Sequence, residues 1–102
     1  MEIIDSLFEA VYYGTDLEFK YNGFYYFINS GVEKNNGKEI HSIDVYKSDY
    51  SFYGGVVKGE SHEIFNSKNE DLNINTKMLF EKKIFDGKTL YEIVKDITEI
   101  NY

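Results

Sequence analysis

The chain contains no cysteine, so a disulfide framework, a thiolate zinc site and a cysteine nucleophile are all excluded. It contains no proline, and no linker-like or low-complexity tract divides it, which points to one domain spanning residues 1–102. Arginine is also absent; every basic residue is a lysine. The bidentate clamp that usually holds phosphate or carboxylate substrates is therefore missing. Ala10 is the sole alanine, which argues against an all-helical bundle. No stretch approaches the roughly 18 apolar residues of a membrane span, and Met1 leads into Glu-Ile-Ile-Asp-Ser without a basic region or an apolar run. The expected location is the cytoplasm.

What is present in excess is aromatic and acidic. Ten Tyr and eight Phe favour strands and binding surfaces, and a hydrophobic fraction of 42% is ordinary for a folded domain. The formal net charge is −7, and Glu2, Asp5, Glu9, Asp16 and Glu18 all precede the first lysine, Lys20. Such a surface repels nucleic acid and attracts basic proteins, where it does not simply keep the chain soluble. Direct nucleic-acid binding would need a basic face that the composition does not offer.

Ile3, Ile4, Leu7, Phe8 and Val11 recur at helical spacing and predict an amphipathic helix over residues 2–13, stopped by Gly14. Leu17, Phe19 and Tyr21 then alternate with polar residues up to Asn22-Gly23, the preferred type I′ hairpin turn. That turn sets Tyr21 opposite Phe24, Phe19 opposite Tyr26 and Leu17 opposite Ile28, all on one face. The other face receives Glu18, Lys20, Tyr25 and Phe27. A polar turn is expected over residues 31–38, then strands over 39–47 and 50–58 joined at Ser48-Asp49. Gly54-Gly55 suggests a bulge in the second, and a short strand follows over 61–65.

Two helices are expected to close the chain. Ser67-Lys68-Asn69-Glu70 has the form of a capping box, as does Thr89-Leu90-Tyr91-Glu92. Leu90, Ile93, Val94, Ile97 and Ile100 form an apolar stripe for the last helix. The sum is an α+β, two-layer domain: an N-terminal helix, an antiparallel meander of four to five strands, and two C-terminal helices.

Nothing in the chain reads as catalytic. It has neither a Gly-x-Ser-x-Gly elbow nor a phosphate-binding glycine loop. His41 and His62 stand on separate predicted strands; His62 lies between Glu60 and Glu63, a sparse ligand set read as an exposed strand end rather than a metal site. No enzyme activity, cofactor or metal is expected. The partner-binding candidates are the acids Glu2, Asp5, Glu9, Asp16 and Glu18, and an aromatic patch of Tyr25 and Phe27 joined by Tyr53 or Tyr50.

Two stretches carry a resemblance. Asp16-Leu17-Glu18-Phe19-Lys20-Tyr21-Asn22-Gly23 resembles the first hairpin of a group of small proteins from low-GC Gram-positive bacteria and their phages. Lys83-Ile84-Phe85-Asp86-Gly87-Lys88-Thr89-Leu90-Tyr91-Glu92-Ile93 resembles the entry to their final helix. The resemblance implies fold order and carries no active site. In size and charge the chain is also similar to the type II-A anti-CRISPR proteins of phages and mobile elements, which bind Cas9, often by imitating the charge of nucleic acid. The implied function is a non-enzymatic protein inhibitor that binds a basic, nucleic-acid-binding protein such as Cas9. The alternatives are a self-associating structural or accessory protein, a homodimer through Tyr25 and Phe27, and a toxin-immunity protein.

Overall fold

A computed structural model describes residues 2–52 and 59–102. Helix α1 (Ile3–Tyr12) buries Leu7, Ala10 and Val11 and leaves Asp5 and Glu9 outside, as its periodicity demands. Full burial of Leu7 and of Val11 stabilises the fold by about 1.5–3 kcal/mol each. Gly14 ends the helix at φ 76°, a left-handed conformation that glycine adopts without strain.

Strands β1 (Leu17–Tyr21) and β2 (Phe24–Asn35) pair in the expected register, Leu17 with Ile28, Phe19 with Tyr26 and Tyr21 with Phe24. Asn22 (φ 51°) and Gly23 (φ 84°) form the turn, both left-handed as type I′ requires. β2 runs on to Asn35 and β3 (Lys38–Ser48) starts directly after Asn36-Gly37, so the polar segment 31–38 is mostly ladder rather than turn. Its side chains are exposed; the cross-strand backbone bonds hold it straight.

The expected strand at 50–58 is not where the chain returns. Tyr50, Ser51 and Phe52 are irregular, residues 53–58 (with the Gly54-Gly55 bulge) lie outside the described residues, and the return strand is β4 (Ser61–Asn69). Asp49 closes the excursion: its N–H donates to the Glu60 carbonyl at 3.4 Å, and its Oδ1 accepts from the Glu60 N–H at 3.0 Å.

β4 is longer than the sequence suggests, and Ser67 lies inside it rather than capping a helix. Ser67 pairs with Ile43 and Asn69 with His41, so ladder bonds take the backbone that a cap would have used. Asp71 is the N-cap of α2 (Leu72–Glu81), accepting from the N–H groups of Asn73 and Ile74. Asn75, an unfavourable residue in mid-helix by propensity, is fully buried there. It donates to the His41 carbonyl at 3.1 Å and accepts from the Ser67 hydroxyl, bolting α2 to β3 and β4.

The capping box at Thr89 forms, with Thr89 and Glu92 bonding each other's backbone. The helix it starts is short: α3 spans Leu90–Ile93, a 3-10 turn follows over Val94–Asp96, and the chain then extends. β5 (Thr98–Asn101) pairs antiparallel with β1, Lys20 opposite Thr98 and Glu18 opposite Asn101. Of the apolar stripe, Ile97 thus lies between the 3-10 turn and the strand, and Ile100 belongs to the edge strand. The backbone of β1 needed a second partner, and this is where it finds one.

The sheet order is β4-β3-β2-β1-β5, antiparallel throughout, with the helices on one face. Leu7, Val11, Leu17, Ile28, Ile43, Leu79, Leu90 and Ile93 meet between the layers, all at most 1% exposed. The architecture is α+β: a helix, a meander, two helices and a closing edge strand.

Candidate interaction surface

Three surfaces collect the residues that could do work. The first is the outside of α1, where Glu2, Asp5 and Glu9 are exposed. Four lysines elsewhere are taken up in ion pairs: Lys20 with Glu99, Lys38 with Glu70, Lys47 with Asp86 and Lys68 with Glu33. Among the described residues none pairs with Glu2, Asp5 or Glu9, although Lys95 shares a shallow depression with Glu2.

Asp16 and Glu18 do not belong with them. Asp16 is half-buried and its carboxylate accepts from the Ser30 N–H at 3.2 Å, tying the start of β1 to β2. Glu18, expected to be a surface acid, is 0% exposed. Its Oε1 accepts from the Ser51 hydroxyl at 2.5 Å and its Oε2 from the Phe52 N–H at 2.7 Å. The pleat does place Glu18 on the face away from the helices, as read from the sequence, but residues 51 and 52 fold back over that face and enclose it.

The second surface is this same sheet face. Phe52 packs on Phe27 with ring centroids 4.8 Å apart, beside Tyr50 at 5.2 Å and Tyr46 at 6.4 Å. Phe27 is consequently half-buried under the chain's own segment rather than an open patch. Tyr25 lies at the margin with the Lys20 ammonium 5.3 Å from its ring centre. Tyr53 lies outside the described residues. Tyr46 was legible in principle, since it stands directly opposite Phe27 in the β2–β3 register.

Further along this face, the Asn66 amide donates to Asp44 at 2.7 Å and to Glu63 at 3.2 Å, bridging two carboxylates. Burial, then the Glu63 charge, raises the Asp44 pKa, while Lys68 opposes both. A raised folded-state pKa means that ionised Asp44 opposes folding at neutral pH, a penalty lost once acid protonates it in both states. Asp44→Asn is expected to raise the thermal unfolding midpoint at neutral pH and to leave it unchanged in strong acid. A variant that melts lower at neutral pH would show that the carboxylate is stabilising where it stands.

The third is a cleft of about 470 Å³ at the C-terminal end of α1, between Tyr12 and Tyr13, the β2–β3 ladder at Ser30 and His41, and Leu72 of α2. No sequence signal marked it, because its walls come from four separate elements. His62 is exposed and 3.4 Å from Glu60, an ion pair only when protonated; among the described residues no three His, Cys, Asp or Glu side chains converge on a metal-sized site. Also among them, no helix is long and apolar enough to cross a membrane.

No protein-family model, curated protein or solved structure matches this chain. Its own residues must therefore carry the functional reading, and they separate cleanly into structural and available groups. The two motifs that stood out in the sequence are structural. The Asn22 amide donates to Asp86 at 2.6 Å, and Phe85 packs against Phe19 at 5.7 Å and Tyr26 at 5.2 Å. The Asn22 hydrogen bond, then Lys47, hold the Asp86 carboxyl below the usual carboxylate range. The hairpin turn and the entry to α3 are thus two halves of one contact.

Proposed function

We propose that the protein is a non-enzymatic inhibitor that covers a basic, nucleic-acid-binding partner with the acidic outer face of α1, as the anti-CRISPR proteins of phages and mobile elements do to Cas9. The observation that supports this reading is the set of exposed acids Glu2, Asp5 and Glu9, which no described lysine neutralises in a chain of net charge −7. Charges left in water on a rigid helix steer a basic protein and add modest affinity without desolvation cost. A toxin-immunity role would use the same surface. Self-association through Tyr25 and Phe27 is less well supported, because Phe52 already packs on Phe27.

Purified Cas9, with and without guide RNA, is the first partner to try, captured on the tagged protein over a salt series. Asp5→Asn combined with Glu9→Gln is expected to weaken capture by about tenfold and to flatten its salt dependence, with the circular dichroism unchanged. Undiminished, salt-insensitive capture by the double variant would remove the acidic helix from the mechanism.

A further inference from the structure

We infer that the outer edge of β4 pairs with the same edge of a second copy of this chain, giving a two-fold dimer with one continuous sheet. β4 ends the sheet order, and it is nine residues long with no proline to guard it. Which backbone groups it leaves open follows from the turns. Tyr21 with Phe24 and Asn35 with Lys38 each close a two-residue turn, and such closing pairs are hydrogen-bonded ones. By alternation from there across β2 and β3, Phe65, Ser67 and Asn69 bond to β3, whereas Glu63, Asn66 and Lys68 turn their N–H and C=O groups outward. No described backbone group bonds to them on that side.

The side chains select a second copy and fix its register. Phe65 stands opposite Val45 and Glu63 opposite Tyr46, so Ile64 is an extra residue, a bulge in β4. The bulge puts Glu63, Asn66 and Lys68 on one face, the one away from the helices, and all three are exposed. A two-fold axis at Asn66 then sets each Glu63 opposite the partner's Lys68, with the two Asn66 residues paired at the centre. Moving the axis to Glu63 or to Lys68 would oppose like charges instead. Within one chain Lys68 has only a loose partner, Glu33 at 4.0 Å, with both side chains exposed.

α2 supports the same contact. Asn75 faces the sheet and Phe80 meets Phe8 of α1, so Ile74 and Met78 project to the opposite side, 48% and 41% exposed. The Met78 sulfur lies 3.8 Å from the Ser67 hydroxyl, which places this apolar pair over the open edge of β4. The axis that pairs the strands also brings the two α2 helices side by side, and Ile74 and Met78 are then covered. A foreign strand would satisfy the backbone groups but brings no helix to cover that pair.

The test is sedimentation velocity on the full chain over a concentration series. The parent's mass is expected to rise toward twice 12.0 kDa, while the Glu63, Asn66 and Lys68 amides exchange with solvent more slowly. Lys68→Glu and Glu63→Lys, each at an exposed site, should keep the parent's circular dichroism and weaken the dimer about tenfold or more by opposing like charges. An equimolar mixture of the two variants should regain it as a heterodimer, because every opposed pair is again of opposite sign. A parent that stays monomeric up to about 1 mM would overturn the inference. So would a dimer whose slowed amides lie elsewhere, or single variants that dimerise as well as their mixture. Slowing at these amides that appears only when Cas9 is added would assign the edge to a partner strand and overturn the second copy. Should either variant unfold, the parent's own exchange pattern decides. The acidic outer face of α1 takes no part in this contact, so the function proposed above stands or falls separately.

Discussion

Phe85→Ala is expected to lower the folding free energy by about 3–4 kcal/mol, the range for emptying a fully buried phenylalanine site. Phe85 closes a three-ring cluster with Phe19 and Tyr26, whose own rings are stacked at 5.5 Å. It sits in the connector between α2 and α3, fixed by mutual backbone hydrogen bonds with Lys88 around the left-handed Asp86 and Gly87. Collapse of the cavity is opposed on both sides, because β1 and β2 are locked by their ladder and the connector by its turn. A second readout distinguishes this cavity from general loosening. Burial, followed by Asp86 and Tyr21, pushes the Tyr26 phenol up to about 12. A water-admitting cavity beside it should bring the ultraviolet titration of that phenol down toward the ordinary tyrosine value. For a domain whose total stability is on the order of 5–15 kcal/mol, the loss would be visible in any denaturant melt. A melt unchanged from the parent would mean that the two motif stretches do not depend on each other.

The elements that were readable from sequence are those decided by neighbours in the chain. The first hairpin follows from Asn22-Gly23 and a period of two, and α1 from Ile3, Ile4, Leu7, Phe8 and Val11 recurring at helical spacing. The misreadings fall where a distant partner outbids a local signal. Ser67-x-x-Glu70 has the residues of a capping box, but the exposed edge of β3 claims that backbone first. Ile97 and Ile100 continue the helical spacing of Leu90 and Ile93, yet the helix stops before Ile97 and the open side of β1 draws Ile100 into β5. Neither partner is visible from within a window of a few residues.

The candidate surface divides in the same way. Glu2, Asp5 and Glu9 were legible because an amphipathic helix fixes its own outside. Asp16 and Glu18 looked equivalent to them in sequence, and only the return of residues 51 and 52, more than thirty positions later, decides otherwise for Glu18. The cleft was illegible for the opposite reason: each of its residues has an unremarkable local role, and the concavity exists only in their assembly.

Glu18→Ala is expected to cost about 2–3 kcal/mol, a large effect for a residue that reads as a surface acid. The carboxylate is the acceptor for two donors, and its loss leaves the Phe52 N–H and the Ser51 hydroxyl inside without that partner. Glu18→Gln keeps one acceptor oxygen and turns an amide NH₂ toward the other donor, so about half of the cost should remain. The consequence extends beyond stability, because the two bonds hold Phe52 on Phe27. Once they are gone, the aromatic face should open, and the alanine variant should bind a hydrophobic dye and grow beyond a dimer in light scattering as concentration rises. The parent should do neither. This makes Glu18 the residue on which the cover over the aromatic face depends: in its presence Phe52 packs on Phe27 and half-buries it. An alanine variant as stable as the parent and no larger would show that these two bonds do not hold Phe52 over the aromatic face.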